Sequence, residues 1–156
     1  MEPHLLTIKD LVIEAEVGGV WQPIVKGLSL SLAQGEVVGL IGESGAGKST
    51  LGLAALGYTK PGCRIRSGSI VLGGQQLVNL PEPALRKLRG VQVSYVAQSA
   101  AAAFNPAHSL MDQFIEAPVQ HGRFKKHEAQ ERGRQLFRQL QLPDPDHIGQ
   151  RYPHQV

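Results

Sequence analysis

The densest chemistry in the chain lies in Gly42, Glu43, Ser44, Gly45, Ala46, Gly47, Lys48, Ser49 and Thr50. Gly42, Gly47, Lys48 and Ser49 satisfy the spacing G-x-x-x-x-G-K-[ST]. Glycines without a Cβ let the backbone fold into a cup of inward-pointing N–H groups. A helix beginning near Lys48 adds the positive end of its dipole, so a polyphosphate meets several donors at once. Lys48 then reaches the β- and γ-phosphates of a nucleoside triphosphate, the Ser49 hydroxyl ligates Mg²⁺ and Thr50 supports the α-phosphate. At ordinary residue frequencies the four fixed positions recur by chance in only about one in a few hundred chains of this length.

Such a loop needs a strand before it and a helix after it, and the sequence supplies both patterns. Residues 37–41 (Val37, Val38, Gly39, Leu40, Ile41) are apolar on both faces, as in a central strand of a covered parallel sheet. Residues 49–56, with Leu51, Leu53, Ala54, Ala55 and Leu56, predict a buried helix that Gly57 ends. Upstream, residues 5–17 predict a strand closed by Gly18 and Gly19. A second strand is expected over 24–32, with Leu28, Leu30 and Leu32 on one face and Ser29 and Ser31 on the other. Further strands are expected at 69–72, before the turn residues Gly73 and Gly74, and at 91–96. Residues 83–89 predict a short basic helix closed by Gly90. Residues 109–120 predict a helix whose last turn Pro118 should disturb. The clearest amphipathic helix is 126–140, where Ala129, Gly133, Leu136, Phe137 and Leu140 share a face and Glu128 pairs with Arg132.

Composition excludes several classes. The 156 residues, 42% of them hydrophobic and 19% charged, suit one soluble globular domain with a real core. The single cysteine, Cys63, removes a disulfide framework and agrees with a reducing compartment. Its neighbours Gly62, Arg64 and Arg66 favour the thiolate somewhat, but an inert side chain is the ordinary outcome. No apolar run suits a signal peptide or a spanning helix. Charge is uneven: residues 1–63 hold 4 basic and 6 acidic side chains, residues 64–156 hold 12 and 7. Much of the excess sits between Arg123 and Arg138 and reads as a solvated helix face rather than a nucleic-acid site. The six histidines show no metal-ligand spacing.

From Leu28 onward the run L-S-L-S-L-A-Q-G-E-V-V-G-L-I-G-E-S-G-A-G-K-S-T resembles the ATP-binding subunits of ABC transporters. The resemblance continues through Leu88-Arg89-Gly90 to Gln98, then Asn105-Pro106, Gln113 and Glu116, and ends in Arg151-Tyr-Pro-His-Gln-Val. These later motifs are most similar to the dipeptide, oligopeptide and nickel importer branch. The resemblance implies an α/β fold of P-loop NTPase, ABC ATPase type: a mixed sheet, an antiparallel β subdomain and a helical arm. Residues 5–98 would form the ATP-binding core with the antiparallel subdomain, and 99–156 the Q-loop and arm. Gln98 stands at the Q-loop position, which implies a role in placing Mg²⁺ and the attacking water and a contact with a transmembrane partner.

The implied cofactors are ATP and Mg²⁺. Integral membrane permease subunits, a second ABC ATPase subunit and, indirectly, an extracellular or periplasmic solute-binding protein are the implied partners, at the cytoplasmic face of the membrane; nucleic acid is not expected. The family stacks adenine on an aromatic upstream of the loop, and Trp21 is the nearest candidate. Spacing to Lys26 and Gly27 would place that aromatic closer to Val17, and a partly buried structural tryptophan is the alternative. After Gln98 this chain has Ser99 and then Ala100, Ala101, Ala102 and Ala103, where the branch has Asp-Pro. The signature S-G-G-Q, the Walker B aspartate, the catalytic glutamate and the switch histidine do not occur in 1–156, so the chain reads as the N-terminal portion of such a subunit. Two alternatives are a non-catalytic nucleotide-binding fragment and a nucleic-acid-linked ABC ATPase; the latter calls for zinc-motif or coiled-coil insertions, which the sequence lacks.

Overall fold

A computed structural model describes residues 4–43, 45–99 and 103–156. The chain divides into two compact units, Met1–Arg89 and Gly90–Val156. In the first, β1 (Leu6–Val17) and β2 (Val20–Leu32) form a long antiparallel hairpin. Gly18 and Gly19, at φ 60° and 80°, make its two-residue turn. The hairpin continues into β3 (Cys63–Leu72), which pairs with β1, and β4 (Gln75–Gln76), giving the order β2-β1-β3-β4. Helix α1 (Lys48–Ala54) follows the glycine-rich loop, and α2 (Glu82–Leu88) follows the sheet. The core joins Ile8, Leu11, Ile13 and Ile70 of the sheet with Leu51 and Ala54 of α1 and Leu85 and Leu88 of α2, all buried.

The antiparallel subdomain and the helices fall where the sequence places them, though β2 and β3 begin earlier than expected, at Val20 and Cys63. Two expected strands differ. Residues 37–41 lie in no ladder, and within 91–96 Val93 makes an isolated bridge beside Arg89 rather than a strand. Val37 is 94% exposed, Ile41 100% and Val96 91%. Their side chains have strand character on both faces, but a ladder requires neighbouring strands, which the described residues do not provide for these two segments.

The sheet is irregular by design of its sequence. Pairing slips between Ile8 and Leu11, where Asp10 has φ 48° and exchanges hydrogen bonds with the Ser29 hydroxyl: the Asp10 N–H donates to it (2.8 Å) and it donates to Asp10 Oδ1 (3.2 Å). On β3 the matching position is Gly68 at φ 97°, where a Cβ would come within 2.6 Å of the Asp10 carbonyl oxygen. No side chain fits there, so this bulge depends on glycine.

Glu14 is the buried acid of this unit, 2% exposed. Arg64 Nε and Nη2 hold its Oε2 at 3.0 and 2.9 Å, and Arg66 Nη1 holds its Oε1 at 2.9 Å. These bonds, Arg64's first, lower the Glu14 pKa against the opposing effect of burial. Because the folded pKa lies below the unfolded one, the pair stabilises the fold above the unfolded value of about 4.3 and that contribution is lost as pH falls through the folded pKa. Urea midpoints of the unaltered chain should therefore drop on acidification below about pH 4, while Glu14→Gln should start lower at neutral pH and show a shallower acid drop. Parallel pH profiles for the two proteins would refute this role.

The second unit contains α3 (Leu110–Gln120), α4 (Lys126–Gln139) and two short 3-10 turns, Ile148–Gln150 and Pro153–Gln155. Ser109 caps α3 by accepting from the Asp112 N–H at 3.2 Å. The helix runs two residues beyond Pro118 before Gly122 turns the chain. Met111, Ile115, Ala129, Phe137 and Ile148 form the core. Of the expected apolar face of α4, Ala129, Gly133 and Phe137 are buried, whereas Leu136 and Leu140 are exposed. Arg132 lies over the Phe124 ring at 4.4 Å and not beside Glu128, and Arg134 pairs with Glu131 within this helix.

Candidate functional site

The glycine-rich loop lies between the extended residues 37–41 and α1. Gly45 and Gly47 adopt φ 84° and 80°, which turns the backbone sharply into the helix. A Cβ at Gly47 would stand 3.0 Å from the Ile24 carbonyl oxygen and 3.1 Å from Val25 Cγ2, so the absent side chain lets the loop lie against β2. The Ala46 N–H donates to the Glu43 carbonyl at 3.2 Å, and the Leu51 N–H donates to the Gly47 carbonyl at 2.8 Å. No side chain caps α1, which leaves its first-turn amides for an anion. Ser44 lies outside the described residues.

Lys48 turns back over this loop: its Nζ donates to the carbonyls of Gly42 (2.7 Å) and Glu43 (2.6 Å). The ammonium is thus placed at the mouth of the loop. Ser49 is exposed on the first turn of α1, and Thr50 beside it is half-buried. A cavity of about 400 Å³ adjoins these residues, lined on one side by Ala46, Gly47 and Lys48 and on the other by Ile24, Val25 and Lys26 of β2. Its two rims differ in chemistry. One offers cationic and backbone donors suited to phosphates, the other the apolar surface of Ile24 and Leu28. The donors on this rim fit a polyphosphate, and Ser49 would be the hydroxyl available to a Mg²⁺ bound with it.

Gln98 is exposed and lies in a bend, in the second unit, outside any helix. Trp21 is placed on β2 opposite Glu16, and its ring carries the Arg64 guanidinium at 4.1 Å. It does not line the cavity at the loop. The same Arg64 grips Glu14, so Trp21, Arg64, Glu14 and Arg66 form one cluster spanning β1, β2 and β3. That cluster escaped the sequence reading, although Arg64 and Arg66 fall two apart on a strand and so share a face. Another side chain with an unforeseen role is Arg89. It donates from Nε to the Leu56 carbonyl (3.0 Å) and from Nη2 to the Gly57 carbonyl (2.9 Å), closing the C-terminal end of α1. Arg89 is therefore engaged in the first unit's own structure. Among the described residues no group of three or more His, Cys, Asp or Glu is placed to hold a metal, and no helix is long and apolar enough to cross a membrane.

The glycine-rich loop, the antiparallel sheet and the helical unit that follows are of the ABC cassette fold, α/β in class, and the chain belongs to the ABC transporter family, whose profile matches residues 25–155. The relatives are transport ATP-binding proteins by name. The oligopeptide transport ATP-binding protein OppD of Escherichia coli (strain K12) is 33% identical over 151 residues, covering 97% of this chain and 44% of that protein. OppD of Lactococcus lactis subsp. cremoris is 29% identical over 153 residues, covering 98% and 45%. The peptidoglycan transport ATP-binding protein YejF of Agrobacterium fabrum is 34% identical over 155 residues, covering 97% and 28%. The chain thus spans less than half the length of these relatives. Among solved structures, the dimeric post-hydrolysis state of the ATP-binding cassette MJ0796 bound to ADP and Pi matches with a TM-score of 0.77 at 18% identity, over 97% of this chain and 62% of that one. That match shows the fold.

Proposed function

We propose that this chain is the nucleotide-binding part of an ABC importer's ATP-binding subunit, working at the cytoplasmic face of a membrane on peptide-like solutes. One observation carries the proposal: Lys48 Nζ stands over the Gly42–Gly47 loop at the mouth of a cavity bounded by β2. In this reading the loop amides and Lys48 bind the β- and γ-phosphates of ATP, Ser49 supplies the hydroxyl for Mg²⁺ and Thr50 supports the α-phosphate. Ile24 and Leu28 offer apolar surface to the nucleoside. The names of the matched relatives favour a peptide-like cargo over the nickel or metal-chelate alternative. Permease subunits, a second ATPase subunit and a solute-binding protein are the partners this role requires. Calorimetric titration of the chain with ATP in the presence of Mg²⁺ and again in excess EDTA tests the site. Saturable binding that weakens on chelation is the expected result, and no heat in either case would refute the assignment.

Gln98 belongs to the same proposal as a coupling residue. Its exposure suits a group that senses the nucleotide while the residues after it meet a membrane partner. In the full-length subunit assembled with its permease, Gln98→Ala should keep ATP affinity within about twofold while transport-linked turnover falls by about tenfold or more. ATP affinity lost with coupling intact would reverse the assignment.

For residues 1–156 taken alone, a specific observation favours binding without turnover. No Asp or Glu side chain lines the loop cavity among the described residues.

A further inference from the structure

Between Phe104 and Ser109 the backbone turns without entering a helix or a ladder, and one side chain organises it. Gln113, in the first turns of α3, accepts from the Asn105 N–H through Oε1 at 2.8 Å. Its Nε2 donates to the carbonyl of Asn105 at 2.9 Å and to that of His108 at 3.0 Å, with a longer approach to Ser109 at 3.4 Å. The side-chain amide therefore engages both backbone groups of Asn105, as a neighbouring strand would. Asn105 finishes its own turn by accepting from the Ala107 N–H at 3.0 Å. Only a primary amide combines one acceptor with two donors in this arrangement; a carboxylate of the same length loses the donors.

The clamp has a second consequence through Phe104, the residue just before Asn105. Phe104 lines an apolar cavity of about 360 Å³ with Leu110, Phe114, Phe137 and Ile148, beside the core of the helical unit. Fixing Asn105 against α3 thus holds Phe104 at the lining of that cavity.

We propose that Gln113 is a positioning residue that fastens residues 104–109, the segment leading away from Gln98, to α3. The clamped turn and α3 then move together, so that motion reaching residue 104 is not absorbed in a slack turn. This proposal rests on the coupling role given to Gln98 above.

The test compares Gln113→Ala and Gln113→Glu with the unaltered protein by amide hydrogen exchange, Mg·ATP titration and, in the full-length subunit assembled with its permease, transport per ATP hydrolysed. Gln113→Ala should speed exchange of the Asn105 amide about tenfold or more while the Ile115 amide inside α3 is unchanged. Mg·ATP affinity should stay within about twofold, and transport per ATP should fall about fivefold to tenfold. Gln113→Glu keeps the acceptor for the Asn105 N–H and should fall between the two. Unchanged coupling despite the faster Asn105 exchange would overturn the proposal, as would unchanged Asn105 exchange. Equal acceleration at Asn105 and Ile115 would also overturn it, by assigning Gln113 to helix stability. Failure of the parent reading has a separate signature: Gln98→Ala with normal coupling.

Discussion

Lys48→Ala should weaken Mg·ATP binding at least about a hundredfold, read as loss of the calorimetric titration at concentrations that saturate the unaltered chain. The ammonium is the one full positive charge the loop aims at its own mouth, and it sits where it can exchange two neutral carbonyl acceptors, Gly42 and Glu43, for phosphate oxygens. The gain is the difference between neutral carbonyl and anionic phosphate acceptors, the ammonium–triphosphate attraction, and about 3 kcal/mol of it corresponds to a hundredfold. The backbone amides and Ser49 remain in the variant, which is why residual weak binding is compatible with the site. Folding should be almost untouched, because the two carbonyls released by the substitution lie in an exposed loop where water replaces the ammonium. A urea midpoint within experimental scatter of the unaltered chain is therefore the control. Equal ATP affinity in the two proteins would remove the assignment of this loop to phosphate binding.

The loop's shape was legible in advance because its determinants are local: the motif residues are nearly contiguous, and glycine at Gly45 and Gly47 answers a backbone requirement within the same few residues. Helices α3 and α4 were legible for a similar reason, since their periodicity is written in their own segments. What the sequence hid depends on partners far along the chain. Glu14 looks like one of several solvent-facing acids on β1, yet Arg64 and Arg66 cross from β3 to bury it. Trp21 looks available to stack on a base, yet Arg64 occupies its face at 4.1 Å. Strand character in 37–41 and 91–96 was legible as composition, whereas pairing was not, because a ladder is a property of two segments. Leu136 and Leu140 show the same limit on a helix: they satisfy the apolar spacing but lie beyond the stripe that α3 covers.

The 156-residue chain, purified by itself, should hydrolyse ATP no faster than its Lys48→Ala variant, even where it binds the nucleotide. Phosphoryl transfer to water needs donors that neutralise the charge spreading over the γ-phosphate and a carboxylate or equivalent that orients the attacking water, placed on the opposite side. In the proposed site Lys48 and Ser49 would supply the first function from α1 and its loop. For the second, Glu43 is the acid in the loop itself, and the structure uses its backbone carbonyl to hold Lys48, while its carboxylate is absent from the cavity lining. Glu14, the buried acid of this unit, is committed to Arg64 and Arg66. A side-chain amide such as that of Gln98 accepts no proton at neutral pH and so does not replace the carboxylate. The segment that enters the loop adds a further obstacle, since Val37 and Ile41 stand fully or almost fully exposed, 94% and 100%, where a ladder would otherwise stiffen it. Positioning is the larger part of catalysis in this class of reaction, and an entry segment without ladder partners among the described residues adds nothing to it. The assay is phosphate release from Mg·ATP by the purified chain, with the Lys48→Ala variant as blank. Turnover well above that blank would mean that a carboxylate in residues 1–156 reaches the γ-phosphate once nucleotide is bound, and systematic Asp→Asn and Glu→Gln substitution would then identify it.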